Sequence, residues 1–429
     1  MTRTHLTRTH KGGPTTEDWG MRGGVHNVMM RDRAARPCFS RHGAEGLRLR
    51  FLHTADWHLG RLFHARSLLE DQAHVLDQFV ALVRDVRPDA VLIAGDVYDR
   101  AVPPPEAVAL LDDVLARIVV DAGVPVVMIA GNHDSAHRLG FGARLMAAQG
   151  LHVAGRTGPQ ASCVTLHDAH GEVRIYALPY AEPAAVRDAL GLDLPSHEAA
   201  LQAQLAAIRA THTPGVRAVA VAHAFVVGGA VSESERPLSV GGSGAVAAEV
   251  FAGFDFVALG HLHRPQTIGE RVHYSGSLLK YSLSEAEHMK SVSLVEIDGA
   301  GQVTIEPIAL QPLRNLRVLQ GELATLLAQG MDDACRDDYI YAVLSDTGAL
   351  LDPMARLRQV YPNALAMERT VLARSGQASA AGRQLRELDT GTLFANFFRE
   401  VADADLDGDQ RRTLDDLLAD MAAAERESA

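Results

Sequence analysis

The sequence predicts an α/β protein built on a mostly parallel sheet, and three observations predict it. Apolar runs of strand length alternate with segments of helical spacing. The runs are uniformly apolar, the pattern of strands covered on both faces. Five of them end on an aspartate, asparagine or histidine, at the position where open α/β sheets bind their ligands.

Leu49 to Ala55 is the first strand and ends at Asp56-Trp57-His58. Leucine, valine and phenylalanine then recur at helical spacing from Ser67 to Val86, and Pro88 stops that helix by removing a donor and crowding the preceding turn. Ala90 to Ala94 breaks at Gly95 and continues as Asp96-Val97-Tyr98-Asp99. Pro103-Pro104-Pro105 opens a helix over about Glu106 to Val119, proline being tolerated in a first turn. Val124 to Ala130 ends at Gly131-Asn132-His133-Asp134. This alternation makes right-handed crossovers on parallel strands.

Val164 to Leu166 and Val173 to Leu178 then pattern as an antiparallel pair. A helix over about Glu198 to Ala210 leads to a strand from Val216 to Ala222, tipped by His223. The Gly- and Ser-rich loop from Gly228 to Gly244 carries Glu233 and Glu235, which we read as shaping the loop. Phe254 to Leu259 runs into Gly260-His261-Leu262-His263. Val272 to Ser277 and the pair Ser291 to Ile297 and Gln302 to Ile308 close this half. Past Pro312 come strands at Arg314 to Gln320, Tyr339 to Leu344 and Ala364 to Leu372, with helices near Leu323 to Ala328 and Pro353 to Val360. A small-residue linker, Ser375 to Gly382, precedes two helices, about Thr392 to Ala402 and Asp409 to Ala424, which carry an apolar face suited to docking.

Composition sets limits. A length of 429 residues allows two to three domains. We divide the chain at 1–46, 47–311, 312–374 and 375–429. Residues 1–46 hold more basic than acidic residues and show no period, as expected of a disordered tail or of residues added by a start codon placed too early. No apolar stretch reaches the roughly 20 residues that span a bilayer. The three cysteines are far apart and form no CxxC pair, which points to a reducing cytoplasm. A net charge of −12 is unfavourable for gripping nucleic acid. Metal carboxylates explain part of it, and any grip on DNA is then local or shared with a partner.

The strand tips carry the chemistry. Asp56, His58, Asp96, Asn132, His223, His261 and His263 offer imidazole, carboxylate and one amide oxygen, without a thiolate. That donor set suits manganese, iron or zinc and argues against an iron–sulfur cluster or a structural zinc. Two four-coordinate ions from seven residues require a shared ligand, and Asp96 is the carboxylate placed to bridge. Such a pair clamps a phosphate and supplies a nucleophile near neutral pH.

Asp56-Trp57-His58, Gly95-Asp96-Val97-Tyr98-Asp99, Gly131-Asn132-His133-Asp134, His223 and Gly260-His261-Leu262-His263 resemble the five motifs of the calcineurin-like metallophosphoesterases. Within that superfamily, His53 through Gly60, Gly95 through Pro104, Gly131 through Leu139, Ser232 through Leu238, Gly260 through Pro265 and Tyr274 through Leu278 resemble the SbcD family of bacterial nucleases. The resemblance implies a four-layer αββα core, two mixed sheets flanked by helices, with a small α+β capping domain and C-terminal helices. It implies two Mn²⁺, with Mg²⁺ or another divalent ion as substitutes. One ion takes Asp56, His58, Asp96 and His263, the other Asp96, Asn132, His223 and His261. His133 faces the scissile phosphate, and Asp134 orients its imidazole. Relatives in another branch carry a histidine three residues after the bridging aspartate; here that residue is Asp99, so no second catalytic histidine is carried over.

The implied function is a DNA nuclease of repair, recombination and replication. It is an ATP-dependent 3′ to 5′ exonuclease on duplex ends and an endonuclease on hairpins and single strands. The implied partner is the SbcC ATPase, docked by the C-terminal helices. The helices at Ser67–Val86 and Glu106–Val119 are the expected contact of a homodimer within an SbcC₂–SbcD₂ assembly, cytoplasmic and nucleoid-associated. The chain has no GxxxxGK[ST] loop, so ATP use comes from elsewhere. The alternative is a phosphatase or cyclic-nucleotide phosphodiesterase with the same metals; a metal-dependent DNA-binding scaffold is a third reading. The C-terminal segments and the sequence Arg100-Ala101-Val102-Pro103 after Asp99 favour the nuclease over the phosphatase.

Overall fold

Parallel apolar strands need two covered faces, and this chain covers them by stacking two sheets and placing helices outside. In chain order the strands of the core are β1 (Arg48–Thr54), β2 (Ala90–Ile93), β3 (Val126–Ile129), β4 (Leu151–Ala154), β5 (Ser162–Asp168), β6 (Gly171–Leu178), β7 (Arg217–His223), β8 (Phe256–Gly260), β9 (Gln266–Ile268), β10 (Val272–Tyr274), β11 (Ser291–Asp298) and β12 (Val303–Ala309). The main helices are α1 (Leu69–Val86), α2 (Pro105–Ala116), α3 (Pro183–Leu190) and α4 (His197–Thr211). The structure is a computed structural model that describes residues 48–158, 160–235, 244–370, 390–402 and 404–428.

The first sheet has the order β12-β11-β1-β2-β3-β4 and the second β9-β10-β8-β7-β6-β5. β1 to β4 are parallel, with β11 and β12 added antiparallel. In the second sheet β6, β7, β8 and β10 are parallel, and the edges β5 and β9 are antiparallel. Phe51, Ile129, Val221, Phe256 and Val295 interdigitate between the sheets. Each such side chain contributes roughly 1.5–3 kcal/mol by leaving water. Val75, Phe79 and Val83 of α1 and Val114 of α2 cover the outer face of the first sheet. Leu201, Leu205 and Ile208 of α4 cover the second. The result is the expected four-layer αββα arrangement.

Boundaries follow local chemistry. Helix α1 ends where Arg87 turns left-handed ahead of Pro88, its N–H bonded to the Val83 carbonyl at 2.9 Å. Proline at the first turn opens α2, and the helix widens into a π-type turn over Arg117–Asp121, so its regular part stops short of Val119. Three core elements escape the sequence reading, the short edge strand β9 among them. β4 is a half-buried edge strand without a continuous apolar run, and α3 buries only Val186.

Past Pro312, β13 (Leu316–Gly321), β14 (Tyr339–Leu344) and β15 (Ala364–Arg369) form a parallel sheet with crossovers α5 (Leu323–Met331) and α6 (Pro353–Val360). Leu323, Leu326, Ile340, Leu344, Leu357 and Tyr361 form its own core. Arg314 and Tyr339 both donate to the buried Asp71 carboxylate of α1 at 2.8 Å, and Arg66 donates to Asn363 at 2.7 Å, tying this unit to the core. Helices α7 (Thr390–Ala402) and α8 (Gly408–Ser428) follow, with Phe394, Phe397 and Leu417 exposed. No helix among the described residues is long and apolar enough to cross a membrane. The expected N-terminal extension, the linker at Ser375 to Gly382 and Arg236-Pro237-Leu238 lie outside the described residues.

Candidate metal centre

Parallel strands point their C-terminal ends the same way, so the tips of β1, β2 and β3 gather at one edge of the first sheet. The tips of β7 and β8, paired His223 to Gly260, face them from the second sheet. All seven expected ligands, together with His133, converge there. The ligand atoms of Asp56, His58 and His263 lie within 4.8 Å of one another, as do those of His58, Asp96 and His133 and those of Asp56, Asp96 and His223. Asp96 Oδ2 is the centre: it lies 3.5 Å from His223 Nε2, 3.7 Å from His58 Nε2 and 3.9 Å from His133 Nε2. Asn132 Oδ1 lies 2.9 Å from His223 Nε2 and 3.2 Å from His261 Nδ1.

The backbone is strained to achieve this. Asp56 (φ 53°), His58 (φ 46°), Asp96 (φ 48°) and His261 (φ 108°) all lie at positive φ, where side-chain-bearing residues rarely sit. Strain of this kind persists only where surrounding contacts fix it, and it gathers at functional sites. The contacts here are backbone hydrogen bonds between tips: Asp56 N–H to the Gly95 carbonyl at 3.1 Å, and His58 N–H to the Asp96 carbonyl at 3.0 Å. Both Asp56 oxygens accept the His261 N–H, at 3.0 and 3.1 Å. Close approach explains Gly131 and Gly260: a Cβ on the first would overlap the Asp96 carboxylate, and one on the second would overlap the Ala94 carbonyl.

Hydrogen-bond partners set the histidine tautomers. His223 Nδ1 lies 2.9 Å from the Ala94 carbonyl, which only accepts, so Nδ1 carries the proton and the Nε2 lone pair faces inward. That lone pair meets the oxygens of Asn132 and Asp96. Acceptors converging in a buried place are what a cation resolves, and neutral imidazole with carboxylate is the donor chemistry of manganese, iron or zinc. Burial lowers the pKa of His58, His223 and His263, and that of His261 to about 3, keeping the rings in the neutral, ligating form. Burial, then the neighbouring Asp96, raises Asp56 well above the ordinary carboxylate value.

The expected partner of the His133 ring is not Asp134. Nδ1 of His133 lies 2.8 Å from the backbone carbonyl of Asp99. The Asp134 carboxylate instead accepts the N–H groups of Val97, Tyr98 and Gly131 at 3.1, 2.9 and 2.9 Å, joining the two tip loops. The physical reason is reach: three backbone donors surround the Asp134 carboxylate and turn it toward the two loops. Asp99 turns its carboxylate to Arg61 at 3.1 Å, with Arg100 and His58 Nδ1 further off at 3.6 and 3.7 Å. Glu235 accepts the Ser232 N–H within its own loop, as expected, and its other oxygen accepts the His263 N–H at 2.7 Å.

Comparison with known proteins agrees with the geometry. Residues 49–265 match the family described as calcineurin-like phosphoesterase, and residues 312–402 match SbcD_C, described as a type 5 capsule protein repressor C-terminal domain. The SbcD chain of the SbcCD nuclease of Staphylococcus saprophyticus is 33% identical over 374 residues, covering 86% of this chain and 98% of that protein. Among solved structures, a dimetal phosphatase from Danio rerio aligns over 61% of this chain and 99% of its own at 15% identity, with a TM-score of 0.36. A hypothetical protein from Thermus thermophilus aligns over 62% and 99% at 14% identity and 0.34, and we draw nothing from likenesses at these scores. With three overlapping clusters of metal-ligating residue types in place and a relative this similar along nearly its whole length, the chain belongs to the SbcD family of the calcineurin-like phosphoesterases.

Proposed function

We propose that the chain is the DNA nuclease subunit of an SbcCD-type complex and hydrolyses phosphodiester bonds with two Mn²⁺, Mg²⁺ being a substitute. The observation that carries this reading is Asp96 Oδ2, faced by the Nε2 atoms of three histidines from three different strand tips. One ion is assigned to Asp56, His58, Asp96 and His263, the other to Asp96, Asn132, His223 and His261. Bound, the two ions polarise the phosphodiester and supply the nucleophile near neutral pH.

The chain's own residues do the rest. The Asp99 carbonyl accepts the Nδ1 proton of His133, so Nε2 is the free ring atom, and in the doubly protonated imidazolium it is the one that gives a proton to the leaving oxygen, the ring returning to its neutral Nδ1–H form. Asp134 holds the loop of His133 against the loop of Asp96. The reading extends to residues 47–311 as the nuclease domain, 312–374 as a cap over the DNA, and 375–429 as a linker and the helices that dock on SbcC. Phe394 and Phe397 support the last of these. DNA ends, hairpins and single strands are the substrates, with 3′ to 5′ polarity on duplexes and ATP supplied by SbcC. Helices α1 and α2 make the homodimer contact, and the complex works in the cytoplasm.

The test is release of nucleotides from end-labelled duplex and hairpin DNA in Mn²⁺, with and without SbcC and ATP. Cleavage of a nitrophenyl phosphodiester without cleavage of any DNA would overturn the substrate assignment in favour of a phosphatase or cyclic-nucleotide phosphodiesterase.

A further inference from the structure

His263 is held from behind by a chain of polar groups that no expected ligand or catalytic residue belongs to. Its Nδ1 lies 2.6 Å from the hydroxyl of Ser234, 29 residues upstream. Ser234 in turn donates to Oε1 of Glu285, which also accepts from Ser282 at 3.0 Å. A hydroxyl has one proton, and the carboxylate takes it. The Ser234 oxygen therefore accepts from His263, and the His263 proton sits on Nδ1. The Nε2 lone pair is thereby fixed toward His58 Nε2, 3.1 Å away. Glu285 is fully buried, and the Lys290 ammonium at its other oxygen, 2.5 Å distant, is buried with it. Lys290 also donates to the His263 carbonyl and to Ser277 Oγ, both at 2.8 Å, so the ammonium is saturated and anchors the same histidine through its backbone.

We infer that Ser234 and Glu285 are positioning residues for the ion held by Asp56, His58 and His263. The Ser234 hydroxyl relays the Glu285 carboxylate to the imidazole and sets the tautomer and basicity of one ligand. The inference rests on the two-ion reading above. A carboxylate behind a ligating histidine raises its donor strength and fixes its ring, and losing such support costs metal affinity. The relay serves one ion only. His223 of the other ion has the Ala94 carbonyl behind it, which no side-chain substitution removes.

The test is calorimetric titration of the intact chain with Mn²⁺ alone, beside thermal unfolding in chelator. Ser234→Ala removes the relay and leaves the Glu285–Lys290 pair intact. It should weaken one of two binding events about 10–100-fold. The second event should stay at its wild-type value, and the metal-free melting temperature should fall by no more than a few degrees, the effect of one unpaired buried N–H. Glu285→Gln should weaken the same event, and Ser234→Thr, which keeps the hydroxyl, should restore it. Ser234→Ala with both events at wild-type affinity overturns the inference, as does equal weakening of both. A wild-type chain that binds two Mn²⁺ and cuts no DNA overturns the nuclease reading and leaves this one standing; a wild-type chain that binds fewer than two overturns both.

Discussion

His58 Nε2 and His263 Nε2 face each other at 3.1 Å, although 205 residues separate them. The two rings come from different sheets, and the same small volume holds the carboxylates of Asp56 and Asp96. Burying such groups side by side is costly unless something binds them. A ligand that binds only the folded state adds stability in proportion to the logarithm of its concentration. Manganese at a hundred times its dissociation constant should therefore raise the melting temperature by roughly 5–10 °C, and chelation should reverse the rise. A melting curve indifferent to both would contradict the metal centre.

Asp96 is the one expected ligand whose loss should abolish both ions, because its Oδ2 faces His58 on one side and His223 on the other. Asp96→Asn should bind neither Mn²⁺, and cleavage should fall at least about 1,000-fold, the scale of a lost electrostatic clamp on the transition state. Asp56→Asn should remove one ion and leave the other. Stoichiometry from metal analysis separates the two variants; two ions retained in Asp96→Asn would rule out the shared carboxylate.

Much of this centre is legible in the sequence because parallel strands present their tips at one edge, so a run such as Ala90 to Ala94 followed by Gly95-Asp96 announces where Asp96 will stand. What is not legible is local and three-dimensional. The positive φ values of Asp56, His58, Asp96 and His261 follow from contacts between tips and leave only a weak signature in residue type, since none of the four is glycine although Asp and His visit this region more often than other side chains. Glu285 and Lys290 sit in a polar stretch after Tyr281 that resembles any surface loop, yet both are buried against His263. Asp134 adjoins His133 in sequence, which suggests a bond to its ring; only the fold shows that Val97 and Tyr98 claim that carboxylate first.

Arg217 and Asp168 fasten the end of the sheets opposite the metal centre. Arg217 donates to both Asp168 oxygens and to the Asp298 carbonyl at 3.1 Å, so one buried side chain links β5 and β7 to β11 of the other sheet. Burial alone would raise the Asp168 pKa, but the Arg217 hydrogen bonds, the His170 N–H and the Arg217 charge together outweigh it and hold it below the ordinary value. A folded-state pKa below the unfolded one gives stability that is complete above about pH 4 and is lost as pH falls through the folded value. Asp168→Asn should cost about 1.5–3 kcal/mol at pH 7, the scale of hydrogen bonds to a charged partner, and should flatten the acid limb of the stability curve. Denaturant unfolding at pH 3 and pH 7 checks both; a variant as acid-sensitive as wild type would show that other groups govern that limb.

His133 and its neighbour Asp134 should give opposite signatures. Asp134 accepts three backbone N–H groups, and asparagine has only one acceptor oxygen. Asp134→Asn should leave at least one buried donor unpaired at a cost of about 1–3 kcal/mol. Because those donors hold the Asp96 loop, manganese affinity should fall with stability. His133→Ala leaves the bond from the His133 N–H to Asp96 Oδ1 in place, since that bond is made by the backbone. Melting temperature and Mn²⁺ binding should therefore survive, while DNA cleavage falls about 10²–10⁴-fold, the contribution of a positioned proton donor. If His133→Ala lost its manganese, the ring would be a ligand and not the proton donor; if Asp134→Asn were as stable as wild type, the carboxylate would not be what binds the two loops together.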